Sequence, residues 1–174
     1  MALSAPVLLA DHHNLDEFNS GEASLDDWLK KRARANLASG ASRVFVVGDD
    51  DRVAGYYALS SSSIMCAAVP GRFKRNMPDP SPVVLLGRLA IDARWQRQGL
   101  GRSLFRDAAM RVSQAAEAIG VRGIVVHAIS NEARKFYLAL GLSECPGEPM
   151  TLVVTLQDIR ASLGLLTSGG AGHH

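Results

Sequence analysis

The residues best suited to chemistry lie in the turn Gln96-Arg97-Gln98-Gly99-Leu100-Gly101, with Arg102 next to it. An apolar stretch precedes the turn and a helical pattern follows it, so it joins a strand to the N-terminus of a helix. Gly99 and Gly101 carry no side chain, which lets an anion approach backbone N–H groups. The helix start adds partial positive charge, and a pyrophosphate suits such a place. The spacing is neither the dinucleotide fingerprint G-x-G-x-x-G nor the triphosphate loop, whose Gly-Lys-Ser/Thr ending is absent. Taken alone, the hexapeptide reads equally well as a tight connection flanked by solvated arginines.

A second constellation follows downstream: Asn131, then Phe136-Tyr137, then Gly141. A phenol, with a pKa of about 10, is protonated at neutral pH and can give its proton to a departing anion. On its own, the Phe-Tyr pair reads as aromatic packing of a short helix. His127, Glu132 and Asp92 are the nearby candidates for a base. A lone histidine on an apolar strand more often completes hydrogen bonds, and acids at element ends more often cap or solvate. No base is assigned.

The elements that must position these residues follow from periodicity. Ser24-Leu25-Asp26-Asp27 has the form of a helix start, and apolar spacing predicts one amphipathic helix over residues 24–39, closed by Gly40. Residues 44–47 and 53–59 flank Asp49-Asp50-Asp51 as a hairpin. Pro70, Gly71, Pro78, Pro80 and Pro82 predict a surface loop over residues 70–82. A buried strand over 83–91, the longest helix over 100–119 with Gly120 as its stop, a strand over 124–128, a helix over 131–140 and a strand over 150–156 complete the pattern. These elements fill one domain over residues 1–165, with room for a terminal helix, and the Gly/Ser/His-rich residues 166–174 read as a disordered tail.

At 174 residues and a net charge of +2, composition excludes a modular enzyme and gives no reason by itself to expect nucleic acid. The distribution of charge says more. Lys30, Lys31, Arg32, Arg34 and Arg43 fall in a window without acids, as do Arg72, Lys74 and Arg75, while Arg94, Arg97, Arg102, Arg106 and Arg111 surround one Asp107. A locally positive face is expected, although for Lys30 to Arg34 an ordinary solvated helix face is the better reading of the residues alone. Cys66 and Cys145 lack metal-ligand spacing and read as free thiols. No apolar run reaches membrane-spanning length and no leader pattern is seen, so a cytoplasmic protein is expected.

Gln-x-x-Gly-x-Gly after a strand, followed by Asn131, Phe136-Tyr137 and Gly141 in that order, resembles the acyl-CoA site of the GNAT superfamily of N-acetyltransferases. The resemblance implies an α+β fold: a mixed, strongly twisted sheet of about six or seven strands flanked by helices, with acetyl-CoA in the splay between two central strands. It implies that Leu89, Ala90 and Ile91 face the pantetheine arm, with the Leu89 amide polarising the thioester carbonyl. It further implies that residues 96 to 102 hold the pyrophosphate, that Asn131 and Phe136 contact the cofactor, and that Tyr137 is the general acid.

A narrower resemblance covers most of the chain. Phe18-Asn19-Ser20-Gly21, Leu25-Asp26-x-Trp28-Leu29, Ala35-Asn36, Gly55-Tyr56-Tyr57-Ala58-Leu59, Leu86-Gly87-Arg88-Leu89-Ala90-Ile91-Asp92 and Phe136-Tyr137 are similar to the GNAT toxins of toxin-antitoxin modules, with Ser20 where cysteine is common. The resemblance implies acetylation of the amino group of aminoacyl-tRNA, arrest of translation, a homodimer and a ribbon-helix-helix antitoxin. Lys30, Lys31, Arg34, Arg72, Lys74, Arg75 and Arg88 are then the expected tRNA contacts. The alternatives are an acetyltransferase for a small amine or a protein N-terminus, and a non-catalytic coenzyme A binder.

Overall fold

The computed structural model describes residues 3–64 and 81–171, and side chains within that range through residue 163. Among the described residues, seven strands form one sheet in the order β1-β2-β3-β4-β5-β7-β6. They are β1 (Val7–Leu8), β2 (Arg43–Asp49), β3 (Arg52–Ile64), β4 (Ser81–Ile91), β5 (Gly123–His127), β6 (Ser143–Cys145) and β7 (Glu148–Thr155). The helices are α1 (Ala23–Lys31), α2 (Ala33–Ser39), α3 (Leu100–Ile119), α4 (Asn131–Ala139) and α5 (Leu156–Ala171). The sheet is mixed, because β4 and β5 pair in parallel at Val84–Ile124 and Leu85–Val125 while β5 and β7 run antiparallel.

Two compact units make up the chain: Met1–Ser60 with Leu86–Ala108, and Ser61–Leu85 with Ala109–His174. In the first, the hairpin of β2 and β3 turns at Asp50, whose φ of 55° places it in the left-handed region that Asp tolerates. Leu25, Leu29 and Ala33 pack with Phe18, Val44, Val46, Val53, Tyr56 and Ala90 into the unit's core. The buried Tyr56 gives its hydroxyl to the Leu25 carbonyl at 2.7 Å, satisfying a polar group that burial would otherwise penalise. In the second unit a smaller core joins Val83, Val125, Cys145 and Val153. Thr155 ends β7 and caps α5 through its hydroxyl, which accepts the Asp158 N–H at 3.0 Å.

Several expectations change. The single helix over 24–39 breaks at Arg32, whose φ of −124° leaves the helical range although its N–H still bonds to the Trp28 carbonyl at 2.8 Å. The break lets two short helices each apply an apolar stripe to the core. Ser24 is not the cap: Glu22 holds that position without a side-chain cap bond, and Asp26 is buried and reaches back to Ser20. Ser81 and Pro82 belong to β4 rather than to the expected loop; the Pro82 carbonyl accepts the Arg122 N–H at 2.8 Å, so a residue that cannot donate still contributes an acceptor. The rest of that loop, and Cys66, lie outside the described residues. Helix α5 takes in residues up to Ala171 that composition assigns to a tail, as a helix can when it supplies its own backbone acceptors. The short strands β1 and β6 have too few residues to show a period.

His13 is buried, and its Nδ1 accepts the Ala10 N–H at 2.9 Å. Burial, helped by the neighbouring His12, holds its pKa below the ordinary 6.5. Above pH 6.5 both folded and unfolded forms are neutral there; below it the unfolded chain takes up the proton first, so acid favours unfolding. The urea midpoint is expected to fall as pH drops below about 6.5, and less steeply in His13→Asn, which keeps an acceptor without the titration. Identical slopes for the two proteins would remove His13 as the cause.

Candidate active site

The turn after β4 is built by the backbone. Asp92 ends the strand and caps a short 3-10 turn over Ala93–Trp95 by accepting the Arg94 N–H at 2.9 Å. The chain then places Arg97 at φ 64° and Gly99 at φ 83°, both left-handed, before α3 begins at Leu100. Left-handed conformation costs a non-glycine residue roughly 1–2 kcal/mol, so Arg97 sits where the local sequence alone would not put it. Ser103 donates to the Gly99 carbonyl at 3.1 Å, and among the described residues the N–H groups of residues 97–102 have no protein acceptor. Consecutive free N–H groups around left-handed residues form a concave anion cradle, and the helix start reinforces it. Arg97 and Arg102 are exposed beside it, so the donors present fit a pyrophosphate.

Gln96 has a different task. Its Nε2 donates to the Ser20 carbonyl at 2.7 Å and to the Ile91 carbonyl at 2.8 Å. Its amide protons are thereby spent on the protein. On β4, Leu89 and Ile91 are half-buried and Ala90 is buried in the first core. Gly55 lies against Ala90 and Ile91: a Cβ there would stand 3.0 Å from the Ile91 Cδ1 and 3.3 Å from the Ala90 carbonyl.

Tyr137 belongs to the second unit. Ser130 caps α4 by accepting the Ala133 N–H at 3.1 Å, which puts Asn131 exposed in the first turn and Tyr137 on the buried face. The Tyr137 ring meets Phe136 edge-on at 5.0 Å, and burial pushes its pKa above the ordinary value of 10. The phenol therefore remains an acid throughout the physiological range. His127 is exposed, with Nδ1 3.2 Å from the Thr151 hydroxyl, and Glu132 is exposed at the start of α4.

The basic residues divide by environment. Lys30 and Lys31 are exposed on α1, and Lys31 stands 4.0 Å from Asp27. Arg34 is tied down, donating to the His13 carbonyl at 2.7 Å. Arg88 lies over the Trp28 ring at 4.9 Å, and Trp28 in turn stacks nearly parallel on Tyr56. Arg88 thus meets an aromatic face, a contact that sequence reasoning missed because sixty positions separate the two residues. Arg72, Lys74 and Arg75 lie outside the described residues.

A model of the acetyltransferase (GNAT) domain matches residues 13–151. A protein of Mycobacterium tuberculosis named tRNA-acetylating toxin is 50% identical over 161 residues, 92% of this chain and 97% of that protein. The structure of AtaT complexed with acetyl-methionyl-tRNAfMet superimposes with a TM-score of 0.84 at 29% identity, covering 95% of this chain and 99% of that one. A mutant AtaT toxin bound to the C-terminus of the antitoxin AtaR and acetyl-CoA gives a TM-score of 0.79 at 28% identity, over 92% of this chain and 98% of that one. The chain belongs to the GNAT acetyltransferase family. Its reaction class follows: transfer of an acetyl group to an amino nitrogen, with acetyl-CoA as the donor.

The left-handed geometry at Gly99 gives a direct test. A Cβ at this position meets nothing within 4 Å, so substitution acts through the backbone alone. Affinity for coenzyme A, measured by titration calorimetry, should fall in the order Gly99, Gly99→Asn, Gly99→Ala, with alanine weaker by about tenfold. Alanine binding as tightly as glycine would show that this backbone conformation is not what holds the ligand.

Proposed function

We propose that this protein is a toxin-type N-acetyltransferase that moves acetyl from acetyl-CoA to the α-amino group of aminoacyl-tRNA and so blocks translation. The observation that carries the reading is half identity, along nearly the whole chain, to a protein named for acetylating tRNA. The same reading makes the protein a cytoplasmic homodimer restrained by a cognate ribbon-helix-helix antitoxin. Among the described residues no helix is long and apolar enough to cross a membrane, which agrees with it.

In this reading the pyrophosphate of acetyl-CoA rests on the free N–H groups of residues 97–102, with Arg97, Gln98 and Arg102 beside it and Gly99, Leu100 and Gly101 lining the turn. Leu89, Ala90 and Ile91 face the pantetheine arm, and Asn131 and Phe136 complete the contacts. The bound donor supplies an activated thioester carbonyl. The Leu89 N–H stabilises the oxygen as the amine nitrogen attacks the carbonyl carbon. The carbon–sulfur bond breaks, the sulfur takes the Tyr137 proton, and the proton that the amine loses passes to solvent, which restores the phenol.

Burial makes Tyr137 a weaker acid than a free phenol, and each unit of mismatch with the thiol costs about 1.4 kcal/mol. The missing base fits the acceptor: at pH 7.5 an α-amine of pKa about 7.8 is roughly one third neutral, a lysine of about 10.4 roughly one part in a thousand. Lys30, Lys31 and Arg88 would meet the tRNA backbone, joined by Arg72, Lys74 and Arg75. Arg34, held by the His13 carbonyl, would join them with its remaining donors.

Incubation with radiolabelled acetyl-CoA should label charged tRNA and leave deacylated tRNA unlabelled. Labelling of neither, or of free amines and peptide N-termini in preference to charged tRNA, would replace this acceptor with a smaller one. Tyr137→Phe should lower kcat by about 100- to 10,000-fold while coenzyme A binding persists. The wild-type rate should show no alkaline loss assignable to Tyr137 below pH 10, because burial raises the phenol above that value. Unchanged transfer in the phenylalanine variant would reduce Tyr137 to packing.

A further inference from the structure

We propose that Asp92 and Gln96 are positioning residues, which set the donor-binding turn by tying it to the Asn19-Ser20 segment that precedes α1. The inference rests on the turn being the donor site, as proposed above. Its basis is a set of bonds spanning more than seventy positions of sequence. Asp92 is 2% exposed; its Oδ2 accepts the Asn19 N–H at 3.0 Å, and its Oδ1 accepts the Arg94 N–H at 2.9 Å and lies 3.5 Å from the Arg94 Nε. The Ala93 N–H returns a bond to the Asn19 carbonyl at 2.8 Å, so the two segments exchange hydrogen bonds. The Asp92 N–H donates to the Ala54 carbonyl at 2.8 Å, fixing the strand end from the β3 side.

Gln96 closes the brace one step nearer the turn by joining the Ser20 and Ile91 carbonyls. Ser20 is held in its own right: its N–H reaches the buried Asp26 at 3.0 Å and its hydroxyl reaches the same oxygen at 2.7 Å. The chain of contacts therefore runs from α1 through Asp26, Ser20 and Gln96 to Arg97, the residue in left-handed conformation. A second strut joins Arg94 to Glu17 at 3.6 Å, with Arg52 on the same Glu17 oxygen at 2.9 Å. Strained backbone persists only where its surroundings over-determine it, and these contacts supply that constraint. Both Asp92 oxygens already accept N–H donors, which makes this residue an anchor and not a catalytic base.

Full-length Gln96→Met, Gln96→Arg and Asp92→Asn proteins test the inference. Methionine keeps the length and removes both donors, whereas arginine keeps donors able to reach carbonyl oxygens. In Gln96→Met the calorimetric Kd for coenzyme A and the KM for acetyl-CoA should rise about tenfold. Its KM for aminoacyl-tRNA and its thermal midpoint should stay near wild type, and Gln96→Arg should recover most of the donor affinity. Asp92→Asn, which sets an amide N–H against a backbone donor, should show a larger loss; if it does not fold, Gln96→Met decides. Unchanged coenzyme A affinity in Gln96→Met would overturn the inference, as would equal weakening of both substrates together with a lowered midpoint. Wild-type protein that binds coenzyme A but leaves charged tRNA unlabelled would instead refute the proposed acceptor.

Discussion

The backbone N–H groups at the start of α3 cannot be satisfied by the helix itself. Every helix leaves its first donors without an internal acceptor, and a side-chain cap usually takes one of them. Here no cap is present among the described residues, and the turn extends the free run back to Arg97. Exposure to water makes that arrangement tolerable, and it leaves the donors available to an anion. The Asp92 carboxylate and the Asn19 N–H tie the chain just ahead of this stretch, in which Arg97 is left-handed.

Tyr137, the proposed acid, shows a complementary use of burial. Tyr137 on α4 loses contact with water, which keeps its proton on across the working range and at the same time weakens its drive to leave. The amine side of the reaction needs no equally strong group if the acceptor is an α-amine. In the proposed reaction, polarisation, nucleophile and proton come from different sources: a backbone amide, the acceptor's own low basicity, and a buried phenol.

Charge in this chain is only partly a surface property. Arg34 and Arg88 belong to basic or apolar stretches of sequence, yet one holds a carbonyl and the other lies on an indole. Lys30 and Lys31 remain in water. A guanidinium can do both jobs at once, since its planar face can stack while its edge still donates. Both arginines keep their charge for a polyanion, and Arg88 is the one whose orientation is set by the indole.

Much of the fold was legible because it depends on local periodicity and chain punctuation. The long α3 with Gly120 behind it, the β2–β3 hairpin, β5, and α4 with Gly141 behind it are encoded by neighbours a few residues apart. The two constellations around Gly99 and Tyr137 were visible for the same reason, as short patterns of residue types in a fixed order. What tertiary structure decided is where distant segments meet: the break at Arg32, the burial of Asp26, the indole under Arg88 and the brace from Ser20 to Gln96. Sequence alone determined that a helix begins after a glycine turn. Whether Gln96 points to a ligand or to the Ser20 carbonyl was settled by a hydrogen bond across more than seventy residues, and no local propensity records such a contact.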